Sequence, residues 1–167
     1  DICEGRSYLK QFPAKRISAA TQSRKLTATS DMLRLNEPDA IIICVPTPLT
    51  KHLEPDLSFV VQTATSISRC LRRGQLVILE STTYPGTTVE VLTPILESSG
   101  LSTSRDFFIA FSPEREDPGN AMHTTATIPK VVGADDDVSR NLACALYESF
   151  GCLTVPVNSS STAEAVK

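Results

Sequence analysis

No stretch of this 167-residue chain comes near the roughly 18 consecutive apolar residues of a membrane helix, and its first residues carry neither a basic nor an apolar leader segment. The cytoplasm is therefore the expected compartment, with no membrane partner. Charge of one sign is equally scarce. Sixteen lysines and arginines stand against 19 acids, the formal net charge is -3, and the two signs are interspersed. Nothing draws the chain as a whole to nucleic acid or to an anionic bilayer. Histidine occurs only at His52 and His123, without the short spacing of a helical zinc motif, so no structural metal is expected. Five cysteines, Cys3, Cys44, Cys70, Cys144 and Cys152, are odd in number and fit no paired ligand spacing. A reducing environment follows. Cys44 lies inside a hydrophobic run and Cys144 among helical apolar residues, so both read as small buried thiols.

What is present is an ordinary globular mix, 41% hydrophobic and 21% charged, long enough for one core. Residues 1 to 30 are the least regular and suggest turns, a short helix and a strand edge. From Asp31 the pattern sharpens. DMLRLNEPDA reads as a short helix stopped at Pro38. AIIICV, residues 40 to 45, is a β-branched apolar run of the kind found in a central parallel strand. An amphipathic segment opens at Asp56 and ends at Gly74, and a strand follows over residues 75 to 79. Residues 87 to 99 form a further helical stripe in which Pro94 predicts a kink. FFIAF (107 to 111) and KVVG (130 to 133) read as strands, and residues 135 to 150 as a helix with acids at its amino end. LTVPV (153 to 157) reads as an edge strand because of its proline. NSSSTAEAVK caps and begins a last helix. The alternation predicts an α/β fold, a mostly parallel sheet of four to five strands flanked by helices.

The three strongest strands each end in a polar loop: VPTP after residue 44, STTYPG after 80, SPERE after 111. If those strands are parallel, all three loops share the edge where such sheets bind ligands. The corner ILESTTYPGT, residues 78 to 87, is the richest in hydroxyls. Thr82, Thr83 and Thr87 can donate to oxygen acceptors, and the amides after Pro85 open a helix and suit an anion or a carboxamide. The plainer reading of the same residues is a helix cap. Thr47 sits between two prolines on a stiff backbone. Glu114, Arg115, Glu116 and Asp117 bring carboxylates and one guanidinium, and a carboxylate near apolar walls can act as a base or organise water. Lys130 and Lys167 are candidate cations, with solvent exposure as their plainer reading. A G-x-G-x-x-G turn, which normally opens a dinucleotide domain, does not occur.

Together, IIICVPTPLTKHLEPDLSFV, GQLVILESTTYPGTT, FFIAFSPEREDPGN, ATIPKVVG and TAEAVK resemble the UDP-glucose/GDP-mannose dehydrogenase family, in particular its UDP-N-acetylglucosamine and UDP-N-acetylmannosamine 6-dehydrogenase branch. The resemblance implies an NAD-dependent oxidation of the C6 hydroxyl of a UDP-N-acetylhexosamine to a carboxylate. It also implies a Rossmann domain for NAD, a central helix, a second domain with a catalytic cysteine, and a homodimer. On this reading residues 1 to 157 are an NAD-binding domain lacking its first βαβ unit, and residues 158 to 167 begin the central helix. By motif, Val45, Pro46 and Thr47 would line the adenosine and ribose. Thr83 and Glu114 would stand near the nicotinamide and the reacting water. Arg115 and Glu116 would lie along the sugar, and Lys167 would stabilise the oxyanion at C6. None of the five cysteines falls in the motif of the family nucleophile. The expectation is an internal piece of such an enzyme, inactive alone and able to associate through an exposed sheet edge. The alternative is a non-catalytic remnant or a module that depends on a partner.

Overall fold

The computed structural model describes residues 2–7, 13–51, 54–114 and 128–166. The chain divides into two units, Asp1–Met32 and Leu33–Lys167. The first holds a single turn of 3-10 helix, Ile2–Glu4, and the helix α1, Ala14–Gln22, with no strand among its described residues.

In the second unit, five short strands make one sheet: β1 (Ala40–Ile43), β2 (Leu76–Leu79), β3 (Phe108–Phe111), β4 (Lys130–Gly133) and β5 (Thr154–Val157), side by side in that order. β1, β2 and β3 are parallel, with Ala40 opposite Leu76 and Leu76 opposite Phe108. β4 runs antiparallel to β3, and β5 parallel to β4. The mostly parallel α/β sheet flanked by helices is thus what the chain forms. Parallel neighbours need a crossover. α2 (Ser58–Ser68) makes the first, and α3 (Thr93–Glu97) with the turn before it makes the second. α4 (Asp137–Ser149) joins β4 to β5, and α5 (Ser160–Ala165) follows.

Side chains alternate across the sheet, so each strand feeds two cores. Val77 and Leu79 of β2 pack with Ile41, Ile43, Ile109, Phe111 and the α2 residues Val60, Ala64 and Ile67. Leu76 and Ile78 point the other way, into a layer with Ala110, Val132 and the α4 residues Ala143 and Tyr147. Burying each such aliphatic side chain is worth roughly 1.5–3 kcal/mol. α5 packs closely on β4. A Cβ added to Gly133 would come within 2.6 Å of the Ala163 Cβ, so only glycine fits there.

Several expectations need correcting. β1 is an edge strand, not a central one: among the described residues it pairs only with β2, and Ile42 is 37% exposed. β5, by contrast, takes the edge that its proline predicted, since Pro156 has no N–H to give a further neighbour. α2 ends at Ser68, well before Gly74. Gly74, at φ +84°, instead turns the chain into β2 and donates its N–H to the Asp106 carbonyl at 2.7 Å. Residues 88 to 97 do form one continuous helical run, but it changes type just before Pro94 instead of staying α throughout. A turn of π-helix, Thr88–Leu92, comes first, in which the Thr93 N–H bonds back to the Thr88 carbonyl. Pro94 then sits in the first turn of α3, directly after the π turn, the kind of irregularity that lets a helix take a proline. Among the described residues no helix is long and apolar enough to cross a membrane.

Candidate functional site

Because β1, β2 and β3 are parallel, the loops that follow them emerge at one edge. There they line a cleft of about 270 Å³ walled by residues 44–47, residues 80–82 and Glu114. Ser81 stitches the first two loops together. Its hydroxyl donates to the Ile43 carbonyl at 3.3 Å and accepts from the Val45 N–H at 2.8 Å. With the Glu80 and Ser81 amides also on the Ile43 carbonyl, the corner has little freedom.

Each loop carries one buried hydroxyl without a hydrogen-bond partner among the described residues: Thr47 Oγ1, Thr83 Oγ1 and Ser112 Oγ. Ser112 lies within electrostatic reach of the Tyr147 hydroxyl, so the weight rests on the two threonines. A buried polar group left unpaired costs about 1–3 kcal/mol, and native proteins keep few of them. Thr47 lines the cleft and Thr83 directly follows a residue of its wall, and buried hydroxyls so placed are the arrangement expected where a polar ligand completes the bonding.

Behind the cleft lies a buried charge cluster. Lys130 Nζ pairs with Glu80 Oε1 at 2.9 Å and in closer contact with Glu114 Oε2, and it stands 5.1 Å from the centre of the Tyr147 ring. The Tyr147 hydroxyl donates to Glu80 Oε1 at 2.6 Å, and the Cys44 thiol donates to Glu80 Oε2 at 3.2 Å. Burial works to raise the Glu80 carboxyl, but the Tyr147 and Lys130 hydrogen bonds outweigh it and hold Glu80 below the usual carboxylate range. Burial works to lower Lys130, and its bonds to Glu114 and Glu80 more than reverse that. Burial, and next the Glu80 carboxylate, push the Cys44 thiol up to about 12. The same two causes raise the Tyr147 phenol well above its ordinary value.

The model of the UDP-glucose/GDP-mannose dehydrogenase family NAD binding domain matches residues 6–151. The chain belongs to this family. It is 38% identical over 148 residues to the UDP-N-acetyl-D-glucosamine 6-dehydrogenase of Pseudomonas aeruginosa, covering 87% of this chain and 35% of that protein. The solved UDP-D-ManNAc dehydrogenase of Pyrococcus horikoshii superposes with a TM-score of 0.90 at 34% identity, over 99% of this chain and 40% of that one. The NDP-N-acetyl-D-galactosaminuronic acid dehydrogenase of Methanosarcina mazei Go1 also gives 0.90, at 30% identity, over 99% and 36%. The chain spans about a third of the length of the curated relatives it matches.

Within this dehydrogenase-family domain, Val45, Pro46, Thr47 and Glu114 all line the cleft, and Thr83 lies one residue beyond its wall. Arg115, Glu116, Asp117 and Lys167 lie outside the described residues. Several readings of single residues change. The amides after Pro85 do not await an outside anion: Gly86 N–H and Thr88 N–H donate to the buried Glu164 carboxylate at 2.6 and 2.8 Å, joined by the Thr88 hydroxyl at 2.7 Å. The helix start is filled by the chain's own anion. Thr87 spends its hydroxyl on the Tyr84 carbonyl at 2.7 Å and serves as a cap. Cys44 is exposed, not buried, because the strand has ended at Ile43 and the loop turns its side chain to the cleft, while Cys144 is only half-buried. Lys130, whose plainer reading was a solvated lysine, is 6% exposed. Glu80, Ser81, Tyr147 and Glu164 were missed. A glutamate closing the LVILE run and a glutamate inside TAEAV were visible signals, since a charge abutting a buried strand or on a helix's inner face needs a partner.

Proposed function

We propose that the cleft binds NAD and that this domain is the cofactor-binding part of an NAD-dependent 6-dehydrogenase acting on a UDP-N-acetylhexosamine. The observation that carries the reading is the pair of buried threonine hydroxyls, Thr47 and Thr83, that follow adjacent parallel strands and have no partner among the described residues, with the half-buried Glu114 lining the same cleft as Thr47. That donor set fits a ligand rich in ribose hydroxyls and carboxamide, and NAD supplies the hydride acceptor when bound. Residues 1 to 157 are assigned to the NAD-binding domain and residues 158 to 167 to the opening of the central helix.

Val45, Pro46 and Thr47 are assigned to the adenosine and ribose side, where the two prolines keep the backbone from closing over the ligand. Thr83 is assigned to the nicotinamide end, and Glu114 to orienting the nicotinamide and holding a water for the hydrolytic half of the reaction. Arg115 and Glu116 are assigned to the sugar, and Lys167 to the developing oxyanion at C6. In the intact dehydrogenase, a cytoplasmic homodimer on this reading, the substrate is a UDP-N-acetylhexosamine.

Calorimetric titration of this chain with NAD tests the first step. Saturable one-to-one binding is expected, weakened several-fold in Thr83→Val, while the melting temperature of that variant holds or rises because an unpaired buried hydroxyl has gone. A folded chain that shows no saturable binding at millimolar NAD would sink the reading. A second reading, a module that works only against a partner, draws on the β1 edge, which among the described residues pairs only with β2, and on the exposed Ile42.

A further inference from the structure

The geometry points to Lys130 as a positioning residue of this site: held from behind by Glu80, its ammonium fixes the Glu114 carboxylate against the wall of the cleft. The inference rests on the cleft being the NAD site, and it adds a residue that touches no ligand.

Lys130 is the first residue of β4, and its side chain is 7% exposed. A buried ammonium is tolerated only when it is paired and hydrogen-bonded. Here two carboxylates share it, and they are not equivalent. Glu80 has both oxygens engaged, Oε1 by Tyr147 and Lys130 and Oε2 by Cys44, and its side chain is 11% exposed. Oε1 is therefore saturated, and Oε2 already accepts the thiol and is largely buried. Glu114 is 33% exposed and, among the described residues, is held only through Oε2 by Lys130. Its other oxygen has no partner among the described residues, and the residue lines the cleft. Two negative charges against one positive leave the cluster with a surplus of one, and the surplus faces the ligand through Glu114.

The connectivity therefore runs in a line. Tyr147 and Cys44 fix Glu80, Glu80 and the Tyr147 ring fix Lys130, and Lys130 fixes Glu114. β4 lies antiparallel to β3, with Gly133 opposite Phe111, so the two strands run past each other at the end where Glu114 leaves the sheet. This brings Lys130, at the start of β4, beside the loop that follows β3. A glutamate three residues past a strand end would otherwise be free to sample several rotamers in the cleft. Burial opposes the charge on Lys130, but its bonds to Glu114 and Glu80 more than reverse that and keep it charged across the physiological range, so the clamp does not switch off.

The test is a double-mutant cycle on NAD affinity in the full chain. Lys130→Met and Glu114→Gln should each weaken binding about tenfold, and the double variant should be no weaker than either, because Lys130 acts through Glu114. Lys130→Arg should recover most of the loss. Additive losses, or a lower melting point with unchanged affinity, would overturn the assignment. If Lys130→Met does not fold, Glu80→Gln takes its place: it leaves the lysine present but loosened, and its smaller loss must vanish in the Glu114→Gln background. A readout without cofactor decides the matter independently. The carbon-13 carboxyl signal of Glu114, identified by its loss in Glu114→Gln, should shift in Lys130→Met and return in Lys130→Arg, and an unmoved signal refutes the clamp. If wild type binds no NAD, the cofactor reading falls while this signal still judges Lys130.

Discussion

At the scale of single residues, environment overrides exposure. Cys44 is open to solvent, yet its neighbours are a carboxylate and a desolvating wall, and its thiol is held up at about 12. The thiolate is the reactive species, and on the order of one molecule in ten thousand carries it at pH 8. Alkylation by iodoacetamide at pH 8, followed by mass spectrometry, should modify Cys44 far more slowly than a free-cysteine standard. Glu80→Gln should accelerate it, since the substitution removes the charge that opposes ionisation. Equal rates before and after that substitution would mean that Glu80 does not govern the thiol.

Between elements, two buried carboxylates hold the corners. Glu164 of α5 is 2% exposed and closes the helix start after Pro85 with three hydrogen bonds. Charge-assisted bonds of this kind are about twice as strong as neutral ones. Glu164→Gln keeps the shape but loses the charge and points an amide at a row of donors, so a loss of about 1–3 kcal/mol is expected from urea denaturation. A loss within error would show that α5 contributes nothing to the corner.

The second carboxylate, Asp106, precedes β3 and is 3% exposed. Its oxygens bond to Arg105 at 2.9 Å, to the Ser102 N–H at 3.0 Å and to Arg73 at 2.9 Å. The Arg105 hydrogen bond, followed by the Ser102 amide, holds its carboxyl at about 2. A depressed carboxylate stabilises the fold above its unfolded value, about 3.9, and loses that contribution as pH falls through the folded value. The gap in urea midpoint between wild type and Asp106→Asn should therefore be constant near pH 6 and close between about pH 4 and pH 2. A gap undiminished at pH 2 would show that the charge is not its source.

At the scale of the whole molecule, the sheet of the second unit ends in two edges, β1 and β5. Pro156 interrupts the β5 edge, which natural sheets use to discourage pairing, whereas β1 is a run of β-branched residues with Ile42 37% exposed. Sedimentation velocity across a concentration series should show association, and Ile42→Lys should shift the distribution toward monomer without lowering the melting temperature. A monomer at every concentration would mean that the β1 edge is protected.

Much of the fold was legible in the sequence because strands and amphipathic helices are written in local periodicity. The runs at residues 40, 76, 108, 130 and 154, the helices between them and the shared edge of three polar loops all follow from spacing and from the rule that parallel strands present one end together. Thr47, Thr83 and Glu114 could be picked out as candidates because they sit in those loops, and Val45 and Pro46 through the family resemblance; four of the five line the cleft. Only the tertiary structure decided the partners of the charges. Lys130 meets Glu80 and Glu114 because β4 enters antiparallel beside β3, and Glu164 reaches Gly86 across 78 residues because α5 lies on β4 where Gly133 leaves room. A charge does not reveal in sequence which distant group will compensate its burial, since register and helix docking set that pairing after the local elements have formed.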